Sequence, residues 1–383
     1  MPLPSNDSAG EFGGSVSSNP LISVVVPVFR IPESFLRANA RSLRDQSFPG
    51  AEFLYVFDGP DPDALNVLRE VFRGDPRFVP VVLPENRGVS IARNTALDRA
   101  RGACFAFVDA DDILPPGTLS AYARAARANP DLVIGPAFGF ITSTANRLAL
   151  FSPPASDSPD SQWARFHAWA NASSCAKLYG PAVHSSRFAS GVRYLEDARF
   201  LWTSLAFLSA PARLAFLSTP VYSVVNRPDS ASRSPVSSAD LSAYFDSLAA
   251  LAETPLPPGA GPRTRRVRAV QLLLWAFVDI NATPEAWAAA LPHARDFLRA
   301  FRKSCVIPRF LRSFVRRRLA SPEALAHPSR FDRILLWNVY RWATRSARSE
   351  PLLLSLFAIV CPPLYRWLAP AFHPLPHAAE EVP

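Results

Sequence analysis

The sequence predicts an α/β fold with a Rossmann-like, mostly parallel sheet flanked by helices and an appended α-helical C-terminal region. Between Leu21 and Val108, short apolar runs alternate with helical stretches, as parallel strands buried on both faces do. In the last third of the chain, apolar residues recur at helical spacing beside many arginines. We therefore expect a flexible Ser- and Gly-rich tail at residues 1–20, the α/β domain at 21–234 and a basic, mostly helical region at 235–383.

Four predicted strands, each of the first three followed by a helix, make up the first half of the domain. The first strand is Leu21–Val28, and a helix over residues 32–46 follows it. The second is Glu52–Phe57, the third is Phe78–Leu83 and the fourth is Cys104–Val108. All four are short and rich in β-branched or aromatic residues, which is typical of buried strands.

Polar or turn-forming residues follow each of these strands. The segments are Pro27-Val28-Phe29, Asp58-Gly59, Asn86 to Asn94, and Asp109 to Asp112. In an open parallel sheet, ligands bind at the carboxyl ends of the strands. The sequence therefore predicts one binding site at this edge of the sheet.

The strongest single indication of function is a cluster of acidic residues. Asp109, Asp111 and Asp112 place three carboxylates within four positions, where like charges repel and raise one another's pKa. A divalent cation, Mg²⁺ or Mn²⁺, resolves this conflict and also binds substrate phosphates. We expect a metal–diphosphate site here, although an ordinary solvated acidic turn is the alternative.

An ordered series of motifs resembles the inverting family 2 glycosyltransferases of the GT-A fold. The matching segments are Val24-Val25-Val26-Pro27-Val28-Phe29-Arg30, Val56-Phe57-Asp58-Gly59-Pro60, Asn86-Arg87-Gly88-Val89-Ser90-Ile91-Ala92-Arg93-Asn94, Phe107-Val108-Asp109-Ala110-Asp111-Asp112, Ala176-Lys177-Leu178-Tyr179, Leu195-Glu196-Asp197 and Pro220-Val221-Tyr222 with Asn226 to Ser232. Phe29-Arg30 stands where the family has Tyr-Asn. The resemblance covers residues 21–234, and the order of the motifs makes it specific.

The resemblance implies transfer of a sugar from a nucleotide-diphosphate donor, a UDP-sugar, to a hydroxyl of a glycan or lipid-linked acceptor in bacterial surface polysaccharide or glycoconjugate synthesis. Asp111 is the expected direct metal ligand, with Asp109 and Asp112 beside it. The expected donor-binding residues are Pro27, Phe29, Asp58, Asn86, Gly88, Arg93 and Asp109. Asp58 could instead be a turn residue before Gly59, and Arg93 an exposed helical charge.

The acceptor hydroxyl must lose its proton as it attacks, and a carboxylate is the usual general base. Asp197 is the predicted base, with Glu196 as the second candidate. The alternative is an ordinary acidic first turn of a helix. The resemblance also implies that Lys177 and Tyr179 lie on the acceptor side.

Composition bounds the cellular context. The chain has 383 residues, of which 49% are hydrophobic and 19% charged, so it is globular. Its four cysteines are scattered without a Cys-x-x-Cys pair, which predicts free thiols in a reducing compartment and argues against a zinc site. We expect a cytoplasmic protein.

The basic charge is concentrated in the C-terminal region. Arginines cluster at residues 263–268 and 309–318 among apolar side chains, a pattern typical of helices that bind anionic membrane surfaces. Helices that pack on the catalytic core are the alternative. The most apolar segment, Leu352–Cys361, is shorter than the ~20 residues that a transmembrane helix needs. The expectation is therefore peripheral attachment to the inner face of the cytoplasmic membrane.

Two other functional classes stay open at this stage. The chain could be a catalytically inactive GT-A-like protein that binds membrane or nucleic acid through its Arg-rich helices. Single-strand binding needs exposed stacking aromatics, whereas these aromatics recur at the spacing of a buried face, so no nucleic-acid partner is expected. A nucleotidyltransferase would need a glycine-rich, basic loop near the first strand, and Phe29-Arg30-Ile31-Pro32 is not one.

Overall fold

The structure is a computed structural model. It describes residues 20–128, 131–134, 138–141, 158, 160, 163, 166, 173–192, 194–206, 208, 213–217, 221–225, 236–276 and 282–304. The described residues up to Ser234, together with Glu253–Gly261, form one compact unit. Those within Pro235–Ala252 and Pro262–Pro383 form a second unit. Glu253–Gly261 thus joins the first unit, although the predicted domain bounds put it in the C-terminal region.

The first unit is built on a seven-stranded sheet in the order β3-β2-β1-β4-β7-β5-β8. Its strands are β1 (Ile22–Val28), β2 (Ala51–Phe57), β3 (Phe78–Val82), β4 (Cys104–Phe107), β5 (Leu132–Ile134), β7 (Lys177–Tyr179) and β8 (Leu214–Phe216). Strand β7 runs antiparallel to β4 and β5, and the other pairs are parallel. Two further strands, β6 (Phe138–Ile141) and β9 (Tyr222–Val225), pair in parallel beside it.

Helices connect the strands of the first unit. They are α1 (Glu33–Arg44), α2 (Pro62–Val71), α3 (Val89–Arg99), α4 (Thr118–Ala126) and α5 (Glu196–Ala206). The second unit contains α6 (Ser238–Glu253) except for its last residue, α7 (Pro262–Ala276) and α8 (Pro284–Ser304). A helical C-terminal region is thus present, as predicted.

Local sequence explains these elements. Every residue of β2 is buried, as expected for a strand between two neighbours and two helical layers. Pro80 is tolerated in β3 because that strand is at the edge of the sheet, where a missing N–H leaves no ladder bond unmade. Asp61 begins α2, since its side chain accepts a hydrogen bond from the Ala64 N–H at 3.0 Å.

An aromatic cluster fixes α5 against the middle of the sheet. Phe200 packs edge-on against Phe107 of β4 and Tyr179 of β7, with ring centroids 5.6 Å apart in both pairs. It also stacks on Phe188 at 4.1 Å. Because these rings are buried, the first turn of α5 is held close to the carboxyl end of β4.

The predicted fold class is confirmed. Each of the four predicted strands matches an observed strand, with one end shifted by one residue. Among the described residues no helix is long and apolar enough to cross a membrane. The predicted arginine cluster at 309–318, the aromatic stripes beyond it, the segment at 352–361 and the loop at 226–232 lie outside the described residues.

Candidate active site

The acidic loop after β4 is held in place from α1. The buried Asn39 side chain donates hydrogen bonds to the carbonyls of Asp109 and Asp112, at 3.0 and 2.7 Å. Its own oxygen accepts from the Tyr55 hydroxyl at 2.8 Å. Just beyond the end of α1, Gln46 bonds the backbone at Leu114, Pro115 and Leu119. The loop conformation is therefore set by two buried polar side chains, one on α1 and one just after it.

Asp112 is buried and bonded at both carboxylate oxygens. Oδ2 accepts from the Tyr222 hydroxyl at 2.7 Å, and Oδ1 accepts from the Val225 N–H at 2.8 Å. Burial, followed by repulsion from Asp109, raises the pKa of Asp112 to about 7. The Tyr222 hydroxyl also accepts from the Asp109 N–H at 3.0 Å. Asp112 and Tyr222 thus tie the acidic loop to β9.

Arg93 is the centre of the site. Its side chain is only 4% exposed, and its guanidinium donates to Asp197 Oδ1 at 2.7 Å and to Asp109 Oδ1 at 2.9 Å. It also lies 5.1 Å from the ring centroid of Phe188. Burial disfavours the charged form, but attraction by Asp197 and Asp109 outweighs this and raises the pKa of Arg93. Arg93 is not an exposed helical charge.

Asp197 and Glu196 lie in the first turn of α5, where the helix dipole favours negative charge. Asp197 accepts from Arg93 through one oxygen and from the Ser174 N–H through the other, at 3.0 Å. Burial, and then repulsion from Asp197, raises the pKa of Glu196 to about 7. The residue before the pair, Leu195, has a φ of 59°, a conformation that is uncommon for a non-glycine residue.

Asp58 organises the loop that follows β3. Its two oxygens accept from the Arg87 N–H at 2.6 Å, the Gly88 N–H at 2.8 Å and the Asn86 side chain at 3.0 Å. Gly59, with a φ of 100°, lets the β2 turn approach this loop, since a Cβ there would lie 3.2 Å from the Asn86 nitrogen. Asn86 and Gly88 themselves are exposed.

The end of β1 supplies an exposed aromatic ring. Phe29 is 47% exposed, and Arg30 lies 5.1 Å from its ring centroid with a φ of 49°. Pro27 is half-buried within β1. Phe29 is thus open to a ligand at the carboxyl edge of the sheet.

Lys177 and Tyr179 are buried in β7 and bond backbone carbonyls. Lys177 Nζ donates to the carbonyls of Ser173 and Cys175, and the Tyr179 hydroxyl donates to the carbonyl of Ser174. Burial lowers the pKa of Lys177 to about 8. Neither side chain reaches the surface here, and their predicted role on the acceptor side stays untested.

The predicted site residues therefore divide into two groups. Arg93, Asp109, Glu196 and Asp197 meet in one ion-pair network, whereas Asp58 and Asp112 hold loops. Sequence analysis did not identify Asn39 or Gln46. Asn39 is a polar residue on the face of α1 that also carries the buried Leu36, Ala40 and Leu43, and this position was the available signal. Gln46 lies two residues after the end of the helix.

The carboxylates fit a divalent cation in part. Asp109 and Asp111 are both partly exposed, and Mg²⁺ or Mn²⁺ is commonly held by one or two carboxylates with phosphates and water completing the shell. The oxygens of Asp112 are already bonded. Within the described part of the chain, no group of three or more His, Cys, Asp or Glu side chains is arranged to hold a metal. The donor set suits a cation shared with a phosphate ligand.

A cleft of about 560 Å³ lies at the opposite, amino-terminal edge of the sheet. Its charged side chains pair with each other: Arg101 with Glu52 at 2.8 Å and Arg77 with Asp75 at 2.7 Å. Because these charged side chains already pair within the protein, the cleft offers little unpaired charge to a charged ligand. The unusual electrostatics are at the carboxyl edge, which is therefore the candidate site.

Comparison with known proteins finds a family model that matches the part of the chain carrying this edge of the sheet. The family model for glycosyl transferase family 2 matches residues 23–163, a span that includes β1 to β4 and the acidic loop. Residues 23–163 are similar to glycosyl transferase family 2. The resemblance inferred from the sequence is thereby confirmed.

Several individual proteins are similar to part of this chain. A Bacillus subtilis protein provisionally named the teichuronic acid biosynthesis glycosyltransferase TuaG is 37% identical over 93 residues, which is 24% of this chain and 36% of TuaG. The uncharacterized glycosyltransferase MJ1057 of Methanocaldococcus jannaschii is 31% identical over 136 residues, covering 35% of this chain and 47% of MJ1057. The chain thus spans less than half the length of the curated relatives it matches.

The solved structure of S. aureus TarS residues 1–349 with UDP-GlcNAc has the same fold. It superimposes with a TM-score of 0.62 at 19% sequence identity, over 85% of this chain and 91% of that chain. This likeness establishes the GT-A fold of the chain.

Proposed function

We propose that the chain is a metal-dependent, inverting glycosyltransferase that transfers a sugar from a nucleotide-diphosphate donor to a hydroxyl of a glycan or lipid-linked acceptor. The observation that carries this proposal is the bridge made by Arg93 between Asp109 and Asp197. The buried guanidinium of Arg93 thereby places Asp109, on the predicted donor side, next to Asp197, the predicted base. Transfer between two substrates requires such proximity.

Asp111 and Asp109 are the residues that would hold the cation, and both are partly exposed at the carboxyl end of β4. When bound, a divalent cation supplies Lewis-acid stabilisation of the charge that develops on a diphosphate leaving group. In this proposal Asp112 does not bind the metal itself. Its bonds to Tyr222 and Val225 fix the loop that carries Asp109 and Asp111.

Asp197 is the proposed general base. Its two oxygens are oriented by Arg93 and by the Ser174 N–H, so the carboxylate has a defined direction when it takes the acceptor proton. The acceptor oxygen then attacks the anomeric carbon directly and the nucleoside diphosphate leaves. A single displacement of this kind inverts the anomeric configuration. Glu196 stays the second candidate for the base.

The donor binds, in this proposal, across the ends of β1, β2 and β3. Phe29 offers an exposed ring, and the loop containing Asn86 and Gly88 offers exposed polar groups shaped by Asp58. We take a UDP-sugar as the donor class, in keeping with the UDP-GlcNAc bound by TarS. The name of TuaG supports a role in polysaccharide synthesis. Cytoplasmic location and peripheral membrane attachment through the basic C-terminal region belong to the same proposal.

Calorimetric titration of the purified full chain tests donor recognition. We expect UDP and UDP-sugars to bind in the presence of Mn²⁺ or Mg²⁺, and binding to weaken strongly when EDTA removes the metal. An Asp111→Asn variant should bind as weakly as the EDTA-treated protein. If no nucleotide or nucleotide sugar binds with either metal, the donor site proposed at this edge is wrong.

A further inference from the structure

A short turn, Ser173–Cys175, lies between β7 and the proposed base, and every carbonyl in it accepts a side-chain hydrogen bond. We propose that Lys177 and Tyr179 are positioning residues for Asp197, which act by fixing this turn so that it presents the Ser174 N–H to the carboxylate. This inference rests on the proposed function. It gives the two residues a role in the reaction without contact with either substrate.

Three side-chain hydrogen bonds hold the Ser173–Cys175 turn. Lys177 Nζ donates to the Ser173 carbonyl at 2.6 Å and to the Cys175 carbonyl at 3.0 Å. The Tyr179 hydroxyl donates to the Ser174 carbonyl, which lies between these two, at 2.8 Å. Two alternate residues of one strand, whose side chains point to the same face, thus hold three successive carbonyls.

The opposite side of the turn faces the base. The carbonyl of Ser174 is held by Tyr179. The N–H of Ser174 donates to Asp197 Oδ2 at 3.0 Å, while Arg93 donates to Asp197 Oδ1 at 2.7 Å. The carboxylate is therefore fixed from two directions. Because the Ser174 N–H is a backbone group, its direction is set by the path of the turn. The hydrogen bond to Asp197 therefore depends on that path.

Backbone strain shows that the turn needs support. Ala176, which joins the turn to β7, has a φ of 58°, in the left-handed region that non-glycine residues seldom adopt. Such a conformation is strained and persists only where surrounding contacts determine it. The hydrogen bonds made by Lys177 and Tyr179, on the C-terminal side of Ala176, are contacts of that kind.

The choice of a lysine is itself informative. Lys177 is 1% exposed, and its ammonium is stabilised by carbonyl oxygens and by the nearby charge of Asp197. Burying a charged group is costly compared with burying an apolar side chain of similar size, so a purely structural position would be filled more favourably by methionine. A cation that binds two carbonyls of the turn at once is what the positioning role requires.

The test compares Tyr179→Phe and Lys177→Met with wild-type full-length protein. Tyr179→Phe is the sharper variant, because it keeps the ring that stacks on Phe105 at 4.8 Å and removes only the hydroxyl. Tyr244→Phe is the matched control, since the Tyr244 hydroxyl also donates to a backbone carbonyl at 2.8 Å but lies in the second unit. Nucleoside diphosphate release gives kcat and donor KM, and hydrogen exchange of the peptide containing Ser174 reports on the turn.

We expect both test variants to lose roughly 10- to 100-fold in kcat, with donor KM within about twofold of wild type and faster exchange in the turn. The Tyr244→Phe control should keep wild-type kcat. An active wild-type protein with unchanged kcat in Tyr179→Phe overturns the positioning role alone. A wild-type protein that turns over no nucleotide sugar overturns the proposed function, and this role with it.

Discussion

Arg93 donates a hydrogen bond to Asp197 at 2.7 Å, although 104 positions separate the two residues in the chain. Because Arg93 also bonds Asp109, one guanidinium joins α3, the loop after β4 and the first turn of α5. The planar, fork-like guanidinium is suited to bridging two carboxylates, whereas an ammonium is a point charge. The arrangement makes the site sensitive to the shape of this cation as well as to its charge.

The first prediction concerns that shape. Arg93→Lys keeps the charge but cannot reach both carboxylates with the same geometry, so we expect kcat to fall about 100-fold or more and the free energy of unfolding to fall by about 1–3 kcal/mol. Steady-state kinetics and thermal unfolding measure both effects. Arg69→Lys is the control, because its side chain is exposed near the C-terminal end of α2. Equal activity of Arg93→Lys and wild type would rule out the bridge as a catalytic requirement.

The second prediction concerns the metal. Asp111→Asn should abolish transfer and weaken metal-dependent binding of nucleoside diphosphate. Thermal stability of the metal-free protein should be unchanged or slightly higher, because removing one of several close carboxylates relieves repulsion. Glu70→Gln, which neutralises an exposed carboxylate near the C-terminal end of α2, should leave both activity and binding near wild type. Full wild-type activity in excess EDTA would contradict the metal assignment.

The third prediction concerns the support of the acidic loop. Tyr222→Phe removes the hydroxyl that joins the Asp109 N–H to the Asp112 carboxylate. We expect a stability loss of about 1–3 kcal/mol, because buried polar groups lose their partner, together with weaker Mn²⁺-dependent nucleotide binding. Tyr244→Phe should lose stability without affecting nucleotide binding. The account of the loop is wrong if Tyr222→Phe binds Mn²⁺ and nucleotide like wild type.

The fourth prediction concerns pH and Glu196. Burial and the charge of Asp197 raise the pKa of Glu196 from 4.5 to about 7, while Arg93 opposes and Asp109 reinforces this shift. A raised carboxyl pKa contributes stability that is complete below pH 4.5 and is lost as the pH rises through 7. Glu196→Gln should therefore be increasingly more stable than wild type between these two values, as measured by urea unfolding at each pH. A constant difference between the two proteins across this range would contradict the assignment.

The sequence predicted the fold well because strand burial and motif order are local signals. Leu21–Val28 and Cys104–Val108 are short apolar runs whose period and length suffice to identify them. The family motifs placed Arg93, Asp109 and Asp197 in one site, and the structure brings them together. These were the predictions that depended least on tertiary detail.

Other parts of the site depended on contacts that no pattern encodes. Asp58 and Asp112 carry the residue type expected of ligand-binding groups, but their oxygens bond loop and strand atoms that are distant in the chain. Lys177 was predicted to lie on the acceptor side, a role that stays a prediction, and its buried ammonium donates to the carbonyls of Ser173 and Cys175. Hydrogen-bond partners are decided by packing, so residue identity alone could not separate a role in binding from a role in positioning.

The role of Asp197 is the central claim, and the rate of nucleoside diphosphate release by Asp197→Asn tests it most directly. With wild-type protein, a UDP-sugar, Mn²⁺ and acceptor, we expect metal-dependent release. In Asp197→Asn we expect kcat to fall by roughly 10²–10⁴-fold while calorimetric donor affinity stays within about twofold of wild type, because the group acts on the acceptor proton. Wild-type kcat in Asp197→Asn, with the loss appearing in Glu196→Gln instead, would contradict the account.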